Sequence, residues 1–268
     1  MLASIDRGSG PAVVLLHGQP GTGASWDPVT DRLTGEYRVL APDRIGYGQS
    51  GGRALGLAGN ADLLASFLID RRTGPATVVA HSWAGGAAVL LAHRRPDVVS
   101  SLVLVGAACT PDSLNFIDLW LTVPVLGELM TAAGLIGIGN VLPRLRRLTR
   151  YAPERYRDRL DTALPSRDVA GIHPGSLRGD TRTFMIEQRA IEAELPAVTA
   201  ALGALDLPVA VVSGTWDLVV PPRAAVTLVR AIPGAELTLL PRTGHFVARD
   251  SPEALADVVR RSARAGAG

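Results

Sequence analysis

Short apolar runs alternate with helix-length amphipathic segments along most of this chain. The runs Ala12–Leu16, Tyr37–Ala41, Ala76–His81, Ser101–Gly106, Pro208–Ser213 and Glu236–Leu240 are rich in Val, Leu and Ala. Runs of this length, bounded by Gly, Pro and Asp, read as buried strands. A further short run near Leu2–Ile5 reads as an edge strand. Helix-length segments fall at about 24–34, 57–71, 83–94, 221–231 and 252–264. Strand–helix alternation of this kind predicts a doubly wound, mostly parallel sheet with helices on both faces.

The alternation stops over residues 112–203, which carry no strand pattern and several helical stretches. In one of them Phe184, Ile186, Ala190 and Ile191 fall mostly on one helical face. The chain therefore divides into a first core part (1–111), a helical insertion (112–203) and a second core part (204–268). The insertion opens with an apolar stretch from Leu114 to Leu142. Asp118, Pro124 and Glu128 interrupt it and Gly127, Gly134, Gly137 and Gly139 favour turns, so it reads as packed helices and not as a membrane span. One face of such helices suits the wall of an apolar substrate pocket. The arginines 144, 146, 147 and 150 beyond it read as a solvated face.

Composition narrows the class. The chain has 268 residues, 47% hydrophobic and 19% charged, which suits one folded α/β unit with an insertion and excludes disorder. Formal net charge is +2, with all 27 basic residues Arg, so nothing argues for a nucleic-acid partner. The single cysteine, Cys109, excludes an internal disulfide framework and reads as a packed residue. No His/Cys cluster has metal-ligand spacing, and no phosphate cradle opens a helix, so neither a metal nor another cofactor is expected. No basic-then-apolar leader precedes the first strand, which leads to the expectation of a cytoplasmic protein.

The chemistry sits at strand ends. The strand Thr77-Val78-Val79-Ala80-His81 runs into Ser82, and the Ala-rich segment Trp83-Ala84-Gly85-Gly86-Ala87 follows. A serine between a strand and a helix projects its hydroxyl beyond the sheet and places the next N–H at a helix start, as a nucleophile elbow requires. Strand and helix nearly touch there, which demands small residues two before and two after the serine. The usual pattern has Gly at both; here Ala80 and Ala84 occupy them. The strand at Val209–Ser213 leads to Asp217 in Gly214-Thr215-Trp216-Asp217, and the strand at 236–240 leads to Gly244-His245-Phe246. Strand ends thus deliver Ser, Asp and His in that chain order.

These features, with His17-Gly18-Gln19-Pro20 after the second strand and Asp43-Arg44-Ile45-Gly46-Tyr47-Gly48-Gln49-Ser50 after the third, resemble the α/β-hydrolase superfamily in its capped bacterial branch. The resemblance spans nearly the whole chain. It implies an α/β-hydrolase fold whose inserted helical cap covers the site, excluding water and supplying the pocket. It implies Ser82 as nucleophile, His245 as base and acid, and Asp217 as the group that holds the imidazole tautomer. Asp112, after the earlier strand, is a rival acid because some relatives place it there; the context of Asp217 matches better. The backbone N–H groups of Gln19 and Trp83 are the implied oxyanion donors, and His17 shapes that loop. Phe116, Trp120 and Phe246 are expected to touch substrate, and His173 reads as a loop residue.

The implied activity is a carboxylesterase-like serine hydrolase of an ester or related acyl bond in a small, largely apolar molecule. Two alternatives remain. One is carbon–carbon hydrolysis, cofactor-free lyase chemistry or perhydrolysis with the same triad; the other is a non-catalytic binding protein on this fold. A serine at the elbow argues against dehalogenase and epoxide hydrolase chemistry, which in this superfamily uses Asp there.

Overall fold

The computed structural model describes residues 2–123, 125–137, 149, 151, 153–154, 157 and 177–268. Seven strands form its sheet: β1 (Ser4–Arg7), β2 (Ala12–Leu16), β3 (Arg38–Pro42), β4 (Ala76–His81), β5 (Val99–Val105), β6 (Val209–Gly214) and β7 (Glu236–Leu240). Their order is β1-β3-β2-β4-β5-β6-β7. Only β1 runs antiparallel, pairing Ser4 with Pro42 and Arg7 with Val39; every other neighbouring pair is parallel. The apolar runs become strands because both faces are covered. All five residues of β2 and all six of β6 are buried.

Helices α1 (Asp27–Leu33), α2 (Leu57–Asp70) and α3 (Ala84–Arg94) follow β2, β3 and β4. A 3-10 turn over Gly23–Trp26 precedes α1, so the segment expected as one helix from 24 is two pieces. Pro28 in the first turn of α1 explains the break, because proline is favoured there and not further in. After β5 come α4 (Phe116–Thr122), α5 (Leu126–Ile136) and α6 (Leu177–Leu202). The core closes with α7 (Pro222–Ala231), the short α8 (Val247–Asp250) and α9 (Pro252–Ala265).

Two apolar clusters fill the faces of the sheet. One packs α2, α3 and α6 against β4 and β5, with Leu57, Leu64, Leu91, Leu102 and Val198. The other packs α1 and α9 against the opposite face, with Trp26, Leu33, Val103, Leu255 and Val259. The helix α6 runs through Pro196, which lies on its exposed side while Leu195, Val198 and Leu202 remain buried on both sides of it. It also completes α2: Glu194 accepts the Ala58 N–H at 2.6 Å, capping a helix that has no side-chain cap of its own. Among the described residues no helix is long and apolar enough to cross a membrane.

Candidate active site

The turn between β4 and α3 carries Ser82 at φ 55°, a left-handed conformation that costs a non-glycine residue free energy and persists only when its surroundings fix it. They do so by hydrogen bonds. The Ser82 N–H donates to Val105 O at 2.9 Å, and the Ser82 carbonyl accepts Gly85 N–H at 3.0 Å and Ala108 N–H at 3.1 Å. Ala80 and Ala84 are fully buried without displacing this turn. The tight approach falls at Gly85 instead, where a Cβ would stand 2.5 Å from the Ala107 Cβ.

The loop after β2 lies directly on the elbow. A Cβ on Gly18 would lie 2.9 Å from the Ser82 Cβ and 2.9 Å from His81 Nδ1, so only glycine admits this contact. The N–H groups of Gln19 and Trp83 take no partner among the turn and loop hydrogen bonds of the described residues. Trp83 also stands at the N-terminus of α3, where the helix dipole favours negative charge.

His245 donates from Nδ1 to Asp217 Oδ2 at 2.8 Å, and both residues are buried. The other Asp217 oxygen accepts the N–H groups of Val219 and Val220, each at 2.9 Å. Gly106 makes room for the pair. It sits at φ 49°, and a Cβ there would lie 3.2 Å from Asp217 Oδ2 and 3.3 Å from His245 Nδ1. Asp112 lies elsewhere: it is exposed and accepts the Thr227 hydroxyl at 2.7 Å.

Two further histidines are neutral, His17 buried and His81 half-buried. His17 Nε2 accepts the Arg44 N–H at 2.8 Å, so its proton is on Nδ1, which donates to Gly18 O at 2.8 Å. Burial, reinforced by the Arg44 charge, holds its pKa well below the usual value. His81 donates from Nε2 to His245 O at 2.9 Å and its ring centroid lies 4.6 Å from that of His245. Burial, then the neighbouring His245, pushes its pKa down to about 3. Cys109 is buried, and burial pushes its thiol up to about 12.

A cavity of about 250 Å³ opens at Ser82 and His245, walled largely by Trp26, His81, Phe184, Phe246 and Val247. A smaller one of about 90 Å³ shares Ser82, Gln19, Phe184 and Val219 with it and is walled by Asp118, Gln188, Ser113 and Ile191. Ser82 thus faces an apolar space on one side and a more polar one on the other. Phe246 lines the larger cavity. Trp120 reaches neither: it is 53% exposed on α4, the helix whose Asp118 accepts Gln188 at 3.2 Å and lines the smaller cavity. Phe116 lies in α4, but its side chain is outside the described residues, as are His173 and the arginines 144, 146, 147 and 150.

Sequence reasoning missed a buried cluster joining α6 to the loops of the site. Glu187 and Arg44 are both fully buried and form a bidentate ion pair, with Arg44 Nη2 3.2 Å from Glu187 Oε2. The Tyr47 hydroxyl donates to the same carboxylate at 2.8 Å and Trp83 Nε1 to Glu187 O at 3.0 Å. Burial pushes the Glu187 pKa up, while Arg44 and Tyr47 pull it down. Gln19 Nε2 donates to Phe184 O at 3.1 Å and to Gln188 Oε1 at 3.3 Å. The available signal was spacing: Phe184, Glu187, Gln188, Ile191, Leu195 and Val198 form one helical stripe, which places two polar residues on a buried face. Among the described residues no group of three or more His, Cys, Asp or Glu could hold a metal ion.

The chain matches the sequence model of the alpha/beta hydrolase family over residues 13–258, and it belongs to that family. It is 28% identical to a pimeloyl-[acyl-carrier protein] methyl ester esterase of Nitrosomonas europaea, over 92% of this chain and 93% of the relative. It is 29% identical to a 2-hydroxymuconate semialdehyde hydrolase of Pseudomonas putida, over 95% and 87% of the two chains. The fold superposes on a thermophilic esterase from Thermogutta terrifontis with a TM-score of 0.75 at 22% identity, covering 99% of this chain and 93% of that one.

Proposed function

We propose that this protein is a serine hydrolase that cleaves an ester or related acyl bond of a small, largely apolar molecule through Ser82, His245 and Asp217. The carrying observation is the His245 Nδ1–Asp217 Oδ2 hydrogen bond of 2.8 Å beside a cavity that also exposes the strained Ser82. With Nδ1 committed to Asp217, Nε2 is the ring nitrogen left to take the serine proton. Ser82 Oγ bonds to the acyl carbon while its proton passes to His245, and the carbonyl oxygen becomes an oxyanion facing the Gln19 and Trp83 N–H groups. Collapse breaks the bond to the leaving group, which takes the proton from His245 and leaves an acyl-enzyme. Water repeats the sequence and releases the acid.

In this reading the helices between β5 and β6 act as a cap, with residues 112–203 the inserted unit between the two parts of the core. Phe184 of α6 lines both cavities, and Ser113, Asp118, Gln188 and Ile191 line the smaller one. The apolar walls of the larger cavity suit a neutral acyl chain, and of the expected contacts whose side chains are described, Phe246 lines it.

The test is covalent labelling. A fluorophosphonate probe followed by peptide mass spectrometry is expected to modify Ser82, and Ser82→Ala is expected to abolish both labelling and hydrolysis of p-nitrophenyl esters with an unchanged circular dichroism spectrum. A folded Ser82→Ala variant that keeps wild-type turnover would overturn the reading. Carbon–carbon bond hydrolysis by the same residues is the second reading, favoured by the likeness to the Pseudomonas putida hydrolase. Turnover of a vinylogous diketone-type substrate at a rate above that of any ester would select it.

A further inference from the structure

The buried Arg44–Glu187 pair calls for an explanation beyond stability, because burying two charges costs about as much as their attraction returns. Its contacts supply one. A peptide group is conjugated, so donors on its carbonyl oxygen draw electron density from its nitrogen and make its N–H a stronger donor. The peptide that bears the Gln19 N–H has Gly18 O as its carbonyl oxygen. That oxygen accepts two hydrogen bonds, from His17 Nδ1 at 2.8 Å and from Arg44 Nη2 at 2.9 Å. The peptide bearing the Trp83 N–H is arranged alike, since Ser82 O accepts Gly85 and Ala108 N–H. One peptide is polarised by neutral donors and the other by a full positive charge.

We infer that Arg44, assisted by His17, is a positioning residue that aims and polarises the Gly18–Gln19 peptide toward the developing oxyanion, and that Glu187 of α6 holds it there. The inference rests on the serine-hydrolase reading above. Arg44 is well fixed for this. Its Nε donates to His17 O at 2.9 Å, and its guanidinium stacks 4.5 Å from the Trp83 ring and 5.1 Å from that of Tyr47. Glu187 grips the other side of the guanidinium, and its own carbonyl receives Trp83 Nε1. Both oxyanion donors are thereby tied to one residue of the insertion. Such polarisation matters more as charge grows on the bound oxygen, so it should act on kcat and leave KM nearly alone.

The experiment compares two inhibitors of one carbon skeleton, an alkyl trifluoromethyl ketone and the corresponding trifluoromethyl carbinol. Ser82 Oγ adds to the ketone carbon, its proton passes to His245, and the ketone oxygen becomes an oxyanion; the carbinol fills the same space without that charge. The paired change Arg44→Met with Glu187→Met removes both charges and strands neither. It is expected to weaken ketone binding and kcat by the same factor, about 10- to 100-fold, with KM and carbinol affinity within about threefold of wild type. Arg44→Lys, which keeps the charge but loses the fork, should fall between, and it carries the same comparison if the double variant does not fold. Equal weakening of ketone and carbinol, or no weakening of either, would overturn the inference. A wild-type enzyme that binds the ketone no better than the carbinol would mean that the serine-hydrolase reading itself fails, a distinct result.

Discussion

Asp217 divides its two oxygens between His245 on one side and the Val219 and Val220 N–H groups on the other. Those backbone donors fix the carboxylate plane, so the imidazole meets an acceptor that is already oriented. Replacing Asp217 by Asn removes the charge and lets the amide donate, which favours the wrong tautomer of His245. The expected outcome is a fall in kcat of about 10⁴-fold with KM little changed. Asp112→Asn is expected to leave kcat within about twofold, because among the described residues this exposed group accepts only the Thr227 hydroxyl. Steady-state kinetics on a p-nitrophenyl ester checks both; the reverse ranking would place the acid after β5. The Ser, Asp and His at this scale were readable because each ends an apolar run with a distinctive neighbour. Arg44 and Glu187 were not, because in sequence a charged residue on a helix or in a loop reads as solvated. Only the packing of α6 onto the loop after β3 buries them.

At the scale of elements, the core strands and helices were legible because burial on both faces forces continuous β-branched runs, and β2, β4 and β6 fall within a residue of their expected bounds. The length of α6 was not. In sequence its apolar face shows only at Phe184, Ile186, Ala190 and Ile191, but the helix spans Leu177–Leu202 and absorbs Pro196 on its outer side. Tertiary contact with α2 and α3 on both sides of the proline outweighs the local preference to stop. That same helix supplies Phe184 to the cavity wall. In the p-nitrophenyl ester series from acetate upward, kcat/KM is expected to rise by up to about fourfold per methylene, equivalent to about 0.8 kcal/mol each, until the cavity is full. Phe184→Ala should move the optimum to a longer chain. A flat series, or a best rate with a carboxylated acyl group, would mean that the apolar wall does not bind the acyl chain.

For the molecule as a whole, the neutral histidines packed beside the elbow tie stability to pH. The unfolded chain binds protons at His17 and His81 near the ordinary value of 6.5, whereas the folded chain holds His81 down to about 3 and His17 well below 6.5. Below pH 6.5 the unfolded state therefore carries more protons, so stability is full above that pH and falls as the solution is acidified. Each histidine contributes a slope of about 1.4 kcal/mol per pH unit once the unfolded form is protonated. Glu187 works against this at lower pH, because its raised pKa lets the folded state take up a proton first. The diagnostic is thus a difference between variants. His81→Gln keeps an amide donor for His245 O but cannot titrate. Urea unfolding from pH 7.5 to pH 5 is expected to give a slope about one proton shallower for His81→Gln than for wild type, with the two curves converging in steepness above pH 7. Parallel curves across the whole range would mean that His81 titrates alike in both states, and that the packing of its ring between Gly18 and His245 does not keep it neutral.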